Sequence, residues 1–359
     1  MMPTPPASST DGIPDTASSR RSTINDVARR ANVSIATVSK VVNGRGGVGQ
    51  QTRARVETAV EDLGYLSVLA RFSSLRSVGE GTIEMLVDPM DVSNPYLSTF
   101  LGGALETAGD LGTGLLMRPI SSVTDTPRAD WAQSLVQAGR IGIIEVTSKY
   151  SPRRERALQA VGLPMILVDP IDQPRPTTAS IGATNWAGAY EATRYLLSIG
   201  HRQIAYIGGP PGATCDVIRA HGWSAAMAEA GINVDLEQIP RGAYSYEHGC
   251  ESAQALLSSK VPPTAIFAGS DISATGVLEA ARRLGLSVPR DLSVVGFDDT
   301  HLARASTPPL TTVHQPIADI GRTAVSSIVR LAAGESIAAK RIELATHLVV
   351  RDSTASPTR

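Results

Sequence analysis

The stretch TINDVARRANVSIATVSKVVNG, residues 23–44, has the pattern of two short helices joined by a tight turn. Its apolar residues recur at intervals of three and four at Ile24, Val27, Ala28 and Ala31, and again at Val38, Val41 and Val42. Ser34 can cap the second helix, and a third apolar stripe, at Val56, Val60 and Leu63, can close a three-helix core. This spacing predicts a helix-turn-helix unit of the kind that binds DNA.

The outer face of the second helix carries short side chains and one cation, at Ile35, Ala36, Thr37 and Lys40. Short side chains let a helix enter the major groove closely, and a lysine can reach a base edge or a phosphate. A solvated helix face could carry the same residues. The accompanying turn and third stripe favour the DNA-reading interpretation.

The N-terminal sequence resembles that of a known protein family. The pattern T-I-x-D-V-A, then V-S-x-x-T-V-S-x-V-x-N, then T-R-x-x-V and G-Y resembles the headpiece of lactose-repressor-type (LacI/GalR) transcription factors. The resemblance implies that Ile35, Ala36 and Lys40 read base edges, whereas Ser34, Thr37 and Asn43 hold phosphates. Apolar Ile35 and Ala36 would suit thymine methyl groups, and Lys40 would suit guanine.

Charge is distributed unevenly along the chain. Residues 20–76 hold ten lysines and arginines against four acidic residues, whereas the whole chain holds 33 against 34. A basic head therefore precedes an acidic body, an arrangement that concentrates the attraction for phosphate at one end.

The segment 66–80 departs from the family pattern, because YLSVLARFSSLR lacks the usual Pro-Asn pair. In the family this hinge folds on DNA and wedges a leucine into the minor groove. Leu75 is the nearer match here and Leu69 the alternative. Paired hinges imply a homodimer on a near-palindromic double-stranded DNA operator, and no heptad repeat after residue 352 predicts a tetramer.

Length and composition limit the remaining classes of protein. With 359 residues, 42% hydrophobic residues and two cysteines, the chain predicts a large core without a disulfide scaffold, a metal site or a cofactor. The lack of a long apolar run or export leader predicts a cytoplasmic protein that does not enter membranes. The first 21 residues are rich in Pro, Ser and Thr and are expected to be disordered, and 353–359 is expected to be a tail.

Beyond residue 81, short β-rich runs alternate with amphipathic segments. The runs form two series, with helical stretches at 186–199, 219–230, 248–258 and 273–285; the runs are 82–88, 114–117, 141–146 and 165–169, then 203–209, 264–269 and 293–299. Such alternation predicts an α/β fold in which parallel sheets are covered by helices on both faces. Two series predict two doubly wound lobes after the helix-turn-helix domain at 22–65.

The family resemblance extends through this core, from residue 22 to residue 352. GHRQIAYIGGP, PTAIFAGSD, GLSVPRDLSVVGFDD and PPLTTVHQP match the family closely, and the family carries a periplasmic-binding-protein-like core. The resemblance implies chain crossings near 181, 311 and 341. Lobe 1 would then hold about 81–181 and 311–340, and lobe 2 about 182–310 and 341–352.

Ligands of doubly wound sheets bind beyond the carboxyl ends of the strands. The family's effector contacts fall there, on Asn94, Tyr96, Arg219, Tyr244, Asp271 and Asp298, with Asn185 as a further candidate. Carboxylates and a guanidinium satisfy many hydroxyl groups, and tyrosines or Trp186 and Trp223 can lie against an apolar sugar face. A sugar effector is predicted. Asp271 and Asp298 could instead cap the helices that follow, and the two tryptophans could pack the lobe.

Three classes of protein are compatible with a two-lobed α/β chain. A solute-binding protein would need an export signal and no DNA-binding head, and an enzyme would need a phosphate loop or an activated nucleophile. Neither pattern is found in the sequence. We therefore predict a ligand-controlled transcriptional repressor that is induced by its effector; corepression, activation and a non-sugar effector remain open alternatives.

Overall fold

The computed structural model describes residues 24–42, 47–62, 81–123 and 130–358. The chain divides into two compact units near residue 71. The predicted hinge at 66–80, together with Thr23, Asn43, Leu63 and Leu75, lies outside the described residues.

Three helices form the N-terminal unit: α1 (Ile24–Ala31), α2 (Ile35–Val42) and α3 (Gln50–Asp62). Their buried apolar side chains form one core, which includes Val27, Val38 and Val56. The Ser34 hydroxyl accepts a hydrogen bond from the Thr37 backbone N–H at 3.1 Å, so it caps α2 as predicted. The three-helix head is confirmed.

The second unit contains two α/β lobes. The first lobe has a six-stranded parallel sheet in the order β10-β5-β4-β3-β1-β2. Its strands are β1 (Thr82–Val87), β2 (Gly114–Pro119), β3 (Arg140–Val146), β4 (Met165–Val168), β5 (Ser180–Ala183) and β10 (Arg341–Leu344). Its helices are α4 (Pro95–Asp110), α5 (Trp131–Gln137), α6 (Pro152–Ala160) and α12 (Ile317–Ala332).

The second lobe has a five-stranded sheet in the order β11-β9-β8-β7-β6. Its strands are β6 (Ile204–Ile207), β7 (Ala265–Ala268), β8 (Ser293–Asp298), β9 (Thr311–His314) and β11 (His347–Val349). Its helices are α7 (Asn185–Ser198), α8 (Thr214–Glu229), α9 (Tyr246–Leu257), α10 (Asp271–Arg283) and α11 (His301–Ala305). The edge strand β11 runs antiparallel to β9, whereas the sequence predicted parallel strands alone.

The predicted lobe boundaries need correction by a few residues. Residues 182–183 and 341–344 belong to the sheet of lobe 1, because β10 pairs with β5 along its whole length. Residues 311–314 belong to lobe 2, because β9 pairs with β8. The chain therefore crosses just after each of these strands, which contain too many polar or small residues to stand out by apolar content.

The C-terminal segment is also part of lobe 2. Ser353 is fully buried, donates to the Val294 carbonyl at 2.6 Å and accepts from the Thr311 N–H at 2.8 Å. The buried His201 ring bonds the Ala355 carbonyl. The core therefore extends past the predicted limit at residue 352.

The central strands are apolar because helices cover both faces of each sheet. Every residue of β4, β7 and β8 is buried. This leaves the carboxyl ends of the strands as the places where polar side chains gather. Within the described ranges, no helix is both long and apolar enough to cross a bilayer.

Candidate DNA-reading face and effector cavity

The outer face of α2 presents the predicted DNA-reading residues. Ile35 is 50% exposed and Lys40 is exposed, although an apolar side chain of that size usually lies inside a small domain. Ser34 is exposed and its hydroxyl lies 2.8 Å from that of Thr37, beside the first turn of α2. A helix face that contacts only solvent does not need an exposed isoleucine, so Ile35 favours the DNA-reading interpretation. Ala36 lies within α2, but its side chain, like all of Asn43 and Leu75, is outside the described residues.

A cavity of about 580 Å³ lies between the two lobes. Its size is within the range of small-molecule sites. Carboxyl ends of strands from both sheets border it: Thr147 and Asp169 follow β3 and β4 in lobe 1, and Ser270 and Asp298 lie at the ends of β7 and β8 in lobe 2. Binding beyond strand ends is the general rule for such sheets.

Three residues that line the cavity have left-handed backbone conformations. The φ angles of Thr147, Asp169 and Asp298 are 47°, 42° and 115°. A positive φ is uncommon in residues other than glycine and tends to concentrate at functional sites. At these strand ends it turns the side chains out of the sheets and towards the space between the lobes.

Arg219 is the cation of the cavity among the described lining residues, and it is held rigidly. Its side chain is 4% exposed, its Nε donates to Asn185 Oδ1 at 2.7 Å, and its Nη1 donates to the Gly269 carbonyl at 2.6 Å. The guanidinium carbon lies 3.8 Å from the centre of the Phe297 ring. A guanidinium fixed on an aromatic ring is preorganised to bind a ligand oxygen.

Carboxylates surround this arginine. Asp298 Oδ1 lies 3.9 Å from Arg219 Nη1 and accepts from Gln315 Nε2 at 2.6 Å. Burial raises the pKa of Asp298 to about 6, although the charge of Arg219 opposes the shift. Burial also raises the pKa of Asp169, whose Oδ2 accepts a hydrogen bond from the Tyr96 hydroxyl.

Five of the seven predicted effector residues line this cavity: Asn94, Tyr96, Arg219, Tyr244 and Asp298. Asn94 also caps α4 by accepting from the Tyr96 N–H at 3.0 Å. Asn185 is not in the lining; it orients Arg219 and borders a smaller neighbouring pocket. Asn185 therefore positions Arg219 without itself bordering the cavity.

The expectation that Asp271 contacts the effector needs correction. Asp271 is fully buried at the start of α10 and is absent from the residues that line the cavity. Its carboxylate accepts from Thr312 Oγ1 at 2.6 Å and from the N–H and hydroxyl of Thr300 at 2.7 and 3.0 Å. It ties α10 to the residues after β8 and to β9. It does not cap α10, because Ser270 is the N-cap and its hydroxyl accepts from the Ser273 N–H at 3.3 Å.

The two tryptophans do not line the cavity either. Trp223 is 4% exposed and packs on Tyr206, whereas Trp186 is 45% exposed and stacks on Tyr190. Trp223 therefore packs the lobe, which was the alternative to a ligand contact, whereas Trp186 borders the smaller neighbouring pocket.

Sequence reasoning did not select several polar residues of the lining, among them Asp91, Thr147 and Asp169. The Thr147 hydroxyl donates to Asp91 Oδ2 at 2.6 Å, and burial raises the pKa of Asp91. Asp91 and Asp169 lie in polar segments at the ends of predicted strands, and this polarity is the sequence feature that could have identified them.

Models of two protein families match the chain. The model "Bacterial regulatory proteins, lacI family" matches residues 23–67, and the model "Periplasmic binding protein-like domain" matches residues 193–354. The first covers the helix-turn-helix head, and the second covers most of lobe 2.

Curated relatives match over almost their whole length. The HTH-type transcriptional regulator DegA of Bacillus subtilis is 36% identical over 93% of this chain and 98% of its own length. The ribose operon repressor of Escherichia coli K12 is 33% identical over 92% of this chain and 99% of its own.

Solved structures show the same architecture. The transcriptional regulator CelR in complex with cellobiose has a TM-score of 0.68, with 28% identity over 93% of this chain and 100% of that one. The lac repressor dimer bound to operator and the anti-inducer ONPF has a TM-score of 0.64, with 25% identity over 94% and 100%.

A three-helix head whose second helix exposes Ile35 and Lys40, together with a polar cavity between two α/β lobes, is the architecture of a DNA-binding transcriptional regulator with a small-molecule effector, and the relatives are regulators rather than enzymes. The chain belongs to the LacI family of bacterial transcriptional regulators. The family expectation drawn from the sequence is thereby confirmed.

Proposed function

We propose that this chain is a repressor whose affinity for its operator is set by a neutral sugar bound in the cavity between the lobes. The observation that supports the proposal most strongly is the cavity itself, in which a rigid guanidinium, buried carboxylates and three tyrosines converge. Carboxylates and a guanidinium can together satisfy the donors and acceptors of several hydroxyl groups. The tyrosine rings suit the apolar faces of a sugar ring.

The charges of the lining favour a neutral effector over an anionic one. Acidic side chains border the cavity at five positions, Asp88, Asp91, Asp169, Glu247 and Asp298, against the single guanidinium of Arg219 among the described lining residues. Burial has already raised the pKa values of Asp91, Asp169 and Asp298, so further negative charge would be costly. A phosphate or carboxylate group on the effector would be repelled by these acidic side chains. Relatives support the sugar class, because one is named as a ribose operon repressor and one structure is a cellobiose complex.

The effector would act through the arrangement of the lobes. The two lobes already meet at one polar contact, where the backbone N–H and hydroxyl of Thr214 donate to the Ile171 carbonyl at 2.7 and 2.9 Å. A ligand that binds one lobe arrangement better shifts the population towards it by no more than its difference in affinity. A difference of about 3 kcal/mol would change operator affinity about 150-fold.

The operator is proposed to be a near-palindromic duplex bound by a homodimer in the cytoplasm. The lac repressor structure, a dimer on its operator, supports this assembly. Two heads on a two-fold axis would read half-sites about one helical turn apart. The face of α2 that carries Ile35, Thr37 and Lys40 is proposed to enter the major groove, together with Ala36 and with Ser34 just before the helix.

A thermal-shift comparison of matched ligands tests the effector class. Cellobiose and D-ribose are set against ribose 5-phosphate, gluconate and hypoxanthine, each titrated against the full-length protein. A neutral sugar at 100 times its Kd should stabilise the folded protein by about 2.7 kcal/mol. Stabilisation by hypoxanthine alone, or a phosphorylated sugar that binds more tightly than its neutral parent, would contradict the proposal.

Effector affinity is expected to depend on pH through Asp298. The ionised carboxylate is the better acceptor for sugar hydroxyls, and its pKa is about 6. Affinity should therefore be constant above that value and fall by up to about tenfold per pH unit below it, because protonation competes with binding. Calorimetric titration with the neutral sugar between pH 5 and 8 measures the effect. The Asp298→Asn variant should bind the sugar weakly, and its affinity should show no inflexion near pH 6. If the inflexion persists in this variant, another group is responsible for the pH dependence.

Lys40→Ala is expected to relax base preference at one position in each half-site. The exposed lysine on α2 is long enough to reach a guanine edge, and its loss should cost about 1 to 3 kcal/mol on the preferred operator. Binding to a set of operators with single base changes measures this. Unchanged selectivity with uniformly weaker binding would instead make Lys40 a phosphate contact.

A further inference from the structure

A buried hydrogen-bond cluster centred on Asp216 lies behind one wall of the effector cavity. Asp216 is the third residue of α8 and is fully buried. Its Oδ1 accepts from the Tyr206 hydroxyl and the Gly209 N–H, both at 2.7 Å, and from the Tyr244 hydroxyl at 3.1 Å. Its Oδ2 is paired with Arg241. Asp216 is not among the residues that line the cavity, whereas Tyr244 is.

The ring of Tyr244 also packs against the backbone of two glycines, Gly209 and Gly269. A Cβ atom added to Gly209 would lie 2.2 Å from Cζ of Tyr244, and one added to Gly269 would lie 3.0 Å from its Cε1. The ring therefore packs directly against two glycines. The carbonyl of Gly269 also holds Arg219 at 2.6 Å, so the same short segment places both the ring and the guanidinium.

Arg241 completes the cluster and joins two loops. Its side chain is 23% exposed and neutralises the buried carboxylate of Asp216. The segment that carries it is bonded to the end of β6, because the Gly208 N–H donates to the Pro240 carbonyl at 2.9 Å and the Gly242 N–H donates to the Gly209 carbonyl at 3.2 Å. A buried charge with this many partners fixes local geometry strongly.

We propose that Asp216 is a specificity-determining positioning residue for the effector. It holds Tyr244 so that the ring forms a flat wall of the cavity, and it accepts the hydrogen bond that the tyrosine hydroxyl could otherwise donate to the ligand. The effector would then place an apolar face, rather than a hydrogen-bond acceptor, against this wall. The inference rests on the proposed function, since it assigns a selectivity to the same cavity.

The positioning can be tested without a ligand. The full-length protein is labelled with [4-¹³C]tyrosine, and the Tyr244 signal is assigned from the Tyr244→Phe variant. In an equal mixture of H₂O and D₂O, a slowly exchanging hydroxyl gives two Cζ signals. We expect two signals for Tyr244 in the wild type and in Asp216→Asn, which keeps an acceptor oxygen, and one averaged signal in Asp216→Ala. A Tyr244 signal that is identical in wild type and Asp216→Ala would overturn the inference.

The selectivity is tested with cellobiose and D-ribose as probes. Asp216→Ala should change the ratio of their Kd values by about fivefold. Tyr244→Phe should change it in the same direction but by less, because this variant loses the positioning of the ring without freeing a hydroxyl. The double variant should match Tyr244→Phe, because without the hydroxyl the loss of Asp216 removes no further contact to the ring. Additive effects would mean that the hydroxyl binds the sugar directly, and an unchanged ratio in Tyr244→Phe would show that the contact does not set selectivity; either result overturns the proposal.

Glu84→Gln is the matched control. Glu84 is also a fully buried carboxylate paired with an arginine, Arg140, but it lies early in β1 and outside the cavity lining. It should lower stability without changing the Kd ratio. If Asp216→Ala does not fold, Tyr244→Phe still decides the question, since it leaves the Asp216–Arg241 pair intact. If neither sugar binds the wild type, the proposed function fails, and the tyrosine signals still decide the positioning.

Discussion

Replacing Arg219 with alanine is expected to weaken effector binding about 100-fold or more, which corresponds to about 2.7 kcal/mol. The guanidinium is 4% exposed and lies 3.8 Å from the centre of the Phe297 ring. Its Nε and Nη1 donate to Asn185 and Gly269, and the residue lines the cavity, so we propose Nη2 as the donor to the ligand. Truncation removes this donor and leaves the buried Asp298 carboxylate without its counter-charge.

The effect is measured as the change in Kd for the neutral sugar found in the thermal-shift comparison, and as the sugar-dependent change in operator binding. Arg202→Ala, an exposed arginine of the same lobe, is the control and should behave as the wild type. Arg219→Lys should recover only part of the loss, because an ammonium group cannot reproduce the planar fork. An Arg219→Ala protein that responds normally to the sugar would show that the effector binds elsewhere.

Operator affinity is expected to fall steeply with salt, by about 10³ to 10⁵ between 50 and 200 mM, if the two heads of a dimer together neutralise about 6 to 10 phosphates. Residues 20–76 carry ten basic residues against four acidic ones, so the attraction is concentrated at the DNA-binding end. The logarithm of the binding constant, plotted against the logarithm of salt concentration, gives the number of contacts.

Sugar binding provides the internal control for this experiment. A neutral ligand in a cavity between the lobes should be almost insensitive to the same change in salt, because no counterions are released from it. A slope near zero for operator binding would contradict the assignment of the basic head to phosphate contacts.

The head was predictable from sequence because its signals are local. The apolar spacing that places Val27, Val38 and Val56 in one core and the Ser34 cap both act within a few residues. The exposed Ile35 also follows from the pattern, since the other positions of α2 account for the core.

The lobes were predictable as a class, but their boundaries were not. Buried strands such as Met165–Val168 are distinctive because every residue is apolar. The strand Arg341–Leu344 alternates exposed and half-buried residues at a sheet edge, so only its pairing with Ser180–Ala183 assigns it to lobe 1. Such pairing joins residues about 160 positions apart, and periodicity within one segment does not report it.

The residues of the candidate site were also only partly predictable from sequence. The family resemblance identified Arg219, Tyr244 and Asp298. Neither it nor strand-end position could distinguish Asp298, which lines the cavity, from Asp271, which bonds Thr300 and Thr312. That difference depends on side-chain direction and on which residues lie opposite. Asp216 was missed for a related reason, because its partners come from two other segments of lobe 2, residues 206–209 and 241–244.

The central claim is that the head reads a specific duplex and that a sugar between the lobes controls how well it does so. The most direct measurement is selection of bound duplexes from a random library by the full-length protein at about 150 mM salt, with the enriched duplex then titrated in the presence and absence of the sugar. The account predicts an enriched near-palindrome whose affinity changes by about 150-fold with saturating sugar. Equal affinity for all duplexes, or an enriched site whose affinity no sugar alters, would contradict it.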